Sequence, residues 1–380
     1  MKYLYLFNEY KENDIASKLG KKGTYLSEIA NLGLPAPSGF VITTDTCNEY
    51  YENNKKINEE TKEQINEYIL KLEQITGKYF GDKNNSLLLT LKCDSKNEIP
   101  GIIDTISNVG LTEVIVDNLS KDTNDFIWVW ESYFKFINDY AKTIYNVDLE
   151  TYKNVKNILN DKKTTLTKED LKVLLDKLKR EYKLKIKTEI PDDSEEQLYS
   201  IINACFKSWS NEHANTYRRD MDIPAKEGIA ICVQQMPFSN INKNCGIGSI
   251  YTRDPITGET KDEFTGRKYF VGKFYIQSVD NKLDVNFDFI NEESTLATKF
   301  PEIYKQLKII STRLEKHYKD MIKIDFVIED NKLFITQICK GKRTAKAALK
   351  IVCDIADEQE SNDLIGQNSF LAKVKTFDKK

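Results

Sequence analysis

The sequence predicts an α+β fold with a helical insertion, and three observations carry that prediction. Near the C-terminal end, Ile322, Ile324, Phe326 and Ile328 alternate strictly with Lys323, Asp325, Val327 and Glu329. That period of two marks a strand. Residues 111–199 change character, with helical patterns dense in Lys and Glu. Elsewhere, short apolar runs are set off by Gly, Pro and polar clusters, the sign of strands joined by turns. At 380 residues the chain has the length of roughly two or three domains with proper cores.

Taken in order, Lys2–Phe7 predicts a short strand and the run Tyr25, Leu26, Ile29, Ala30 a helix. Gly33, Pro35, Pro37 and Gly39 punctuate a tight connection into a strand over Phe40–Thr43. Ser86–Leu91 predicts an apolar strand, followed by Lys92-Cys93-Asp94 and a loop through Pro100-Gly101. The helical stretch breaks near Asn160-Asp161 and at Ile190-Pro191-Asp192-Asp193, and its charge runs predict solvated helix faces. A helix through Cys205, Phe206 and Trp209 leads to a strand over Ile229–Met236. Gly246–Tyr251 and Phe270–Gln277 predict further strands, Glu302–Met321 a helix, and Ala345–Asp357 a last helix before a polar tail.

The bulk numbers exclude several classes. Aliphatic and aromatic residues make up 40% of the chain, which is globular rather than disordered composition. Net charge is −3 with acids and bases interspersed, so nothing predicts a nucleic-acid or membrane-binding face. Seven scattered cysteines without CxxC spacing predict reduced thiols rather than disulfides or a zinc site. No stretch approaches the ~20 apolar residues of a membrane span, and the N-terminal apolar run is short for a signal peptide. A cytoplasmic location is the expectation.

Two stretches suggest chemistry. Gly20-Lys21-Lys22-Gly23 is a basic turn opening a helix, where free N–H groups and a lysine converge to suit phosphate; a plain solvated turn is the alternative. In the C-terminal hairpin, a three-residue loop of Asp330, Asn331 and Lys332 places Asp325 opposite Gln337. A carboxylate and an amide oxygen on one face suit Mg²⁺, which prefers oxygen ligands; the alternative is the solvated face of an ordinary hairpin.

An ordered set of motifs then resembles the N-terminal nucleotide-binding domain of pyruvate phosphate dikinase, an ATP-grasp fold. The carrying residues include Lys22-Gly23, Leu26-Ser27-Glu28, Asn31 through Phe40 and Pro100 through Thr105. They continue with Phe206-Lys207-Ser208-Trp209, Tyr217-Arg218-Arg219, Ile223-Pro224, Val233-Gln234, Thr252-Arg253-Asp254-Pro255 and Gly341 through Ala345, covering residues 1–357. The resemblance implies two subdomains clamping ATP, with residues 1–110 as the first, 111–199 as the insertion, 200–345 as the second and 346–380 as a C-terminal helix and tail. It implies phosphoryl transfer from ATP to a histidine on a separate swivelling domain, and a third domain that acts on pyruvate. The chain's two histidines, His213 and His317, lie outside the family's phospho-histidine context. This polypeptide alone is therefore not expected to be a complete dikinase.

By the same resemblance, Lys22 and Lys92 act on the ATP phosphates as the catalytic cations, and Lys135 is a third cation of the site. Gly101, Ile103, Asp104 and Thr105 form the loop over the nucleotide, and Gln234 and Met236 border adenine. Asp325 and Gln337 take the metal. The chain departs from the pattern at several of these positions. Lys92 and Lys135 stand for arginines and so lack the planar bidentate fork. Asp325 stands for a glutamate, Lys323 for an aspartate, Cys339 for an arginine and Lys273 for a glutamate. Near Mg²⁺, exchanging a carboxylate for an ammonium removes an attraction and adds a repulsion, each about 4 kcal/mol at ~4 Å and an effective dielectric of ~20. Phosphoryl transfer relies on stabilising spreading charge, so the rate should fall by several orders of magnitude while binding survives.

Three readings follow. The chain is a standalone ATP-binding pseudoenzyme, with Mg²⁺ dispensable. Alternatively it is an active phosphotransferase subunit serving a histidine-bearing domain in trans, or a scaffold that binds no nucleotide.

Overall fold

The structure is a computed structural model that describes residues 2–10, 15–103, 105–121, 126–162, 166–260, 269–276, 288–290 and 294–360. It divides into two compact units, Met1–Pro237 and Phe238–Lys380. The mixture of helices and antiparallel sheets confirms the α+β class.

In the first unit the elements run β1 (Leu4–Leu6), α1 (Ile15–Asn31), β2 (Gly39–Ile42), α2 (Thr44–Glu52), α3 (Glu59–Thr76), β3 (Tyr79–Phe80), β4 (Ser86–Leu87), β5 (Leu89–Asp94) and β6 (Thr105–Val109). Five helices come next, α4 (Glu113–Leu119), α5 (Ile127–Tyr145), α6 (Glu150–Lys162), α7 (Lys168–Ile186) and α8 (Ser194–Ser208), then α9 (Glu212–Asp220) and β7 (Ala230–Gln235). The strand order β1-β2-β7-β5-β6 places the last strand of the unit in the middle of its sheet. The helical stretch is built around α5, whose Trp130, Phe134, Phe136 and Ile137 are fully buried. That helix packs against α4, α6, α7 and α8 and against strand β6. The expected break at Ile190–Asp193 is real: Asp193 caps α8 by accepting the Glu196 N–H at 2.7 Å.

Helix α1 lies across the sheet and contacts β2, β5 and β7. Its glycine at position 23 is a packing requirement, because a Cβ there would sit 3.2 Å from Val41 Cγ2 and 3.4 Å from Cys232 Sγ. The helix also kinks at Gly20, whose φ of +66° is natural only for glycine.

The second unit contains β8 (Gly246–Tyr251), β9 (Phe270–Ile276), β10 (Asp288–Ile290), α10 (Thr295–Lys299), α11 (Pro301–Tyr318), β11 (Ile322–Glu329), β12 (Lys332–Lys340) and α12 (Ala345–Glu360). Its antiparallel sheet has the order β10-β9-β8-β11-β12. The alternation read from the sequence is borne out, since Ile322, Ile324, Phe326 and Ile328 are all fully buried. Helix α11 packs against β11 and buries Ile303, Leu307, Ile310 and Leu314, one face at helical spacing.

The hairpin differs from expectation in one respect. Its loop has two residues, with Asp330 at φ 47° and Asn331 at φ 61°, both positive as in a type I′ turn. That register alone would set Asp325 opposite Thr336. A β-bulge shifts the pairing between Asp325 and Phe326, leaves Thr336 unpaired and restores Asp325 opposite Gln337. The expected pairing is present, but a bulge and not a longer loop produces it.

Phe326 stacks on Phe274 with centroids 6.1 Å apart, directly over Gly248. A Cβ on Gly248 would lie 2.4 Å from Phe326 Cζ and 3.0 Å from the Lys273 carbonyl oxygen. Gly248→Ala is therefore expected to destabilise the protein by about 1–3 kcal/mol through overpacking. Urea unfolding should show a lower midpoint at an unchanged slope.

Candidate functional site

In the first unit, the strand pairings put Val41, Cys232, Lys92 and Thr105 in one row across β2, β7, β5 and β6. Gly39, Gln234 and Thr90 form the next row on the same face, because side chains alternate with period two. Asp94 and Ala230 follow on the other side. This is the face that α1 covers, so Lys92, Thr105 and Gln234, chosen from distant parts of the sequence, share a surface beneath the helix that carries Lys22.

The details decide what that surface can do. Lys92 is 6% exposed and Gln234 1% exposed, and the Gln234 Nε2 has no hydrogen-bond partner among the described residues. Lys22 donates its backbone N–H to Asp94 Oδ2 at 2.9 Å and its ammonium to the Cys93 carbonyl at 3.1 Å. Lys21 N–H reaches the Ser95 carbonyl at 3.4 Å. The N–H groups expected for phosphate thus meet acceptors from their own chain, one of them a carboxylate. Asp94 was given no role in the sequence. The available signal was its position two residues beyond Lys92 on a strand, which puts both on one face.

Burial raises the Asp94 pKa above the ordinary range, against the lowering pull of the Lys22 charge and of the N–H groups of Lys22 and Ser95. Between the two lysines, burial pushes the Cys232 thiol up to about 12; Asp94 adds to the rise and Lys92 and Lys22 oppose it. That cysteine is therefore a neutral packing group at physiological pH.

The remaining expected residues of this unit are placed as follows. Gly101, at φ +88°, accepts from Asn211 Nδ2 at 2.5 Å, and the Ile103 N–H donates to Ser208 Oγ at 3.3 Å. The loop is thereby pinned to the turn between α8 and α9. Asp104 lies outside the described residues. Lys135 pairs with Asp139, one turn further along α5, and not with Lys22 or Lys92. The Met236 N–H donates to the Leu88 carbonyl at 2.9 Å and its sulfur receives the Asn108 N–H at 3.1 Å. That backbone donor is accordingly engaged within the sheet.

The second unit holds Asp325 and Gln337. Along one face the row across four strands reads Lys273, Ser249, Asp325 and Gln337. The neighbouring row reads Val271, Tyr251, Lys323 and Cys339. Lys323 Nζ lies 2.8 Å from Asp325 Oδ1 and 3.1 Å from Oδ2. Burial would lower the Lys323 pKa, but the charge and hydrogen bond of Asp325, joined by Cys339 and Tyr251, outweigh it and hold the ammonium above its ordinary value. These residues do not fit a Mg²⁺ ion. The carboxylate of the row is already occupied by an ammonium, and a second ammonium, Lys273, lies two strands away in the same row. No group of three or more acidic, His or Cys side chains that could hold a metal occurs among the described residues. No helix among them is long and apolar enough to cross a membrane.

A pH dependence follows from Asp94. A carboxyl whose folded pKa is raised contributes stability at low pH that is lost as pH rises through that folded value. Asp94→Asn keeps an oxygen acceptor for the Lys22 N–H and removes the buried charge. The variant is expected to melt higher than the parent at pH 7, with the difference fading as pH falls to about 4, the ordinary aspartate range. Thermal melts of both proteins across that interval check the sign.

Comparison with known proteins supports the site's assignment to a family. Residues 16–79 and 90–278 match the family model described as pyruvate phosphate dikinase, AMP/ATP-binding domain. The chain is 36% identical over 363 residues to pyruvate, phosphate dikinase of Clostridium symbiosum, covering 94% of this chain and 40% of that protein. Against the Rhizobium meliloti enzyme of the same name it is 35% identical over 390 residues, covering 98% and 42%. The chloroplastic enzyme of Mesembryanthemum crystallinum is 34% identical over 350 residues, covering 90% and 36%. The chain therefore spans about two fifths of the length of these curated relatives. With a family model matching well over half its residues, and with the ATP-grasp-like α+β fold that the resemblance implied, this chain belongs to the pyruvate phosphate dikinase AMP/ATP-binding domain family.

Proposed function

We propose that the chain binds ATP through the lysine-bearing face of its first unit and transfers phosphoryl groups weakly or not at all. The observation that carries the binding half is the meeting of Lys22, Lys92, Thr105 and Gln234 on one covered face in a member of an AMP/ATP-binding family. Lysine ammonium groups suit phosphate as point charges, and the unpartnered Gln234 amide supplies a directed donor toward the base or ribose. The observation behind the catalytic half is the Lys323–Asp325 ion pair. Transfer of a phosphoryl group depends on cations placed against spreading negative charge. A carboxylate already neutralised by a lysine offers little to position a metal for that task.

A second reading is an active subunit that phosphorylates a histidine on a separate protein. The shared length favours it, since the relatives named pyruvate, phosphate dikinase are more than twice as long as the matched region. On this reading the acceptor histidine belongs to a partner domain in trans.

Calorimetric titration of the full chain with ATP, first in Mg²⁺ and then in EDTA, tests the proposal. Saturable binding in both buffers is expected, and Lys22→Ala should weaken it by at least about tenfold, roughly 1.4 kcal/mol. Binding that appears only with Mg²⁺, together with label passing from γ-phosphate to a histidine-bearing domain, would establish the active subunit instead. Absence of heat in both buffers would leave a scaffold without a nucleotide.

A further inference from the structure

The polar row of the second sheet contains more donors than its own residues can satisfy. Lys273 is 8% exposed and Ser249 2% exposed. The Ser249 Oγ has no hydrogen-bond partner, and none is found for the Lys273 ammonium or the Gln337 side chain among the described residues. The carboxylate of the row, Asp325, is engaged by Lys323. Cross-strand partners on one face hold their Cβ atoms about 4.5–5.5 Å apart, so these groups are within mutual reach of one small ligand. Burying an ammonium without a counter-charge is costly, as is burying an unpaired hydroxyl. Three kinds of unsatisfied donor in one row therefore describe a place for an anion. Lys323 and Asp325 keep 28% and 25% of their side chains exposed, which leaves the row open to solvent at that end.

We propose that this row is an oxyanion site of the phosphate class that works without a divalent cation. Lys273 and Lys323 supply charge, and Ser249 and the Gln337 amide supply directed donors. Asp325 is a positioning residue that holds the Lys323 ammonium over the sheet. The identification of the oxyanion with the polyphosphate of a nucleotide rests on the function proposed above; the anion site itself does not. In other members of the family this row could be read as a metal site, but the donors here have the opposite sign.

The test uses the full chain and inorganic tripolyphosphate, titrated calorimetrically in EDTA and then in excess Mg²⁺. Binding is expected in EDTA and should weaken in Mg²⁺, because the metal neutralises the ligand. Lys273→Met and Ser249→Ala should each weaken binding in EDTA about tenfold or more, the effect of losing a hydrogen bond to a charged group. Lys273→Arg should retain most of it. Without ligand, Lys273→Met should melt at or above the parent temperature, since it removes a buried charge that lacks a partner, so loss of fold does not account for lost binding. Binding that requires Mg²⁺, or an affinity untouched by Lys273→Met, overturns the proposal. The two ideas fail separately. ATP binding lost in Lys22→Ala but unchanged in Lys273→Met would sink the anion site and leave the nucleotide reading. Tripolyphosphate binding that depends on Lys273, with no binding of ATP, would sink the nucleotide reading and support the anion site.

Discussion

Lys323 and Asp325 are two residues apart on β11, and the strand's period of two forces them onto one face. At 2.8 Å the ammonium and carboxylate neutralise each other in a setting where burial penalises either charge alone. Much of the chemistry of the second unit follows from this pair. A divalent cation approaching Asp325 would have to displace the ammonium and then tolerate it nearby. With Lys273 further along the same row, the field over this part of the sheet favours an anion. Removal of Lys323 alone would expose a half-buried carboxylate, while removal of Asp325 would leave a cation-only surface. The pair is thus a switch in the sign of the site, set by which residue occupies a single strand position.

The sequence made the strands of this region legible because the core demands alternation. Ile322, Ile324, Phe326 and Ile328 could only face α11, so their neighbours could only face away. The pairing of Asp325 with Gln337 was also legible, although its cause was not. A two-residue turn of Asp330 and Asn331 relies on residues that tolerate positive φ, and the bulge at Thr336 leaves no local signature. Helices α2 and α3, over residues 44–76, are amphipathic surface elements whose weak patterns were not assigned. Strand β7 was recognised as a strand, but its partners β2 and β5 lie far back in the chain, and no local pattern encodes that choice. The covered face carrying Lys22, Lys92 and Gln234 depends on that same long-range pairing, which is why Asp94 and Cys232 gained significance only in three dimensions.

Several motifs that announced the family turn out to hold the scaffold together. Arg253 is 2% exposed and reaches Glu315 at 3.0 Å and Asp354 at 3.1 Å, tying the end of β8 to α11 and α12. Arg218 lies over the Trp209 ring at 4.0 Å, and the Trp209 indole donates to the Ala225 carbonyl at 3.0 Å. Asn211 holds the Gly101 carbonyl and also caps α9 through the Ala214 N–H. Such residues persist for packing whether or not phosphoryl transfer does. Family membership here consequently testifies to the fold more strongly than to the reaction.

The two units handle their cations in a similar way, with one exception. In the first, Asp94 accepts the Lys22 N–H and its charge faces both lysines; in the second, Asp325 takes Lys323. A phosphate arriving at either place competes with a carboxylate of the chain, so its net gain is the difference between two ion pairs, and this moderates affinity. Lys273 has no such internal competitor among the described residues. An anion reaching it would gain an attraction that the unliganded protein lacks, and would satisfy Ser249 as well. Binding energy in this chain should therefore be concentrated where the fold has left a charge unanswered, not where the most lysines are gathered.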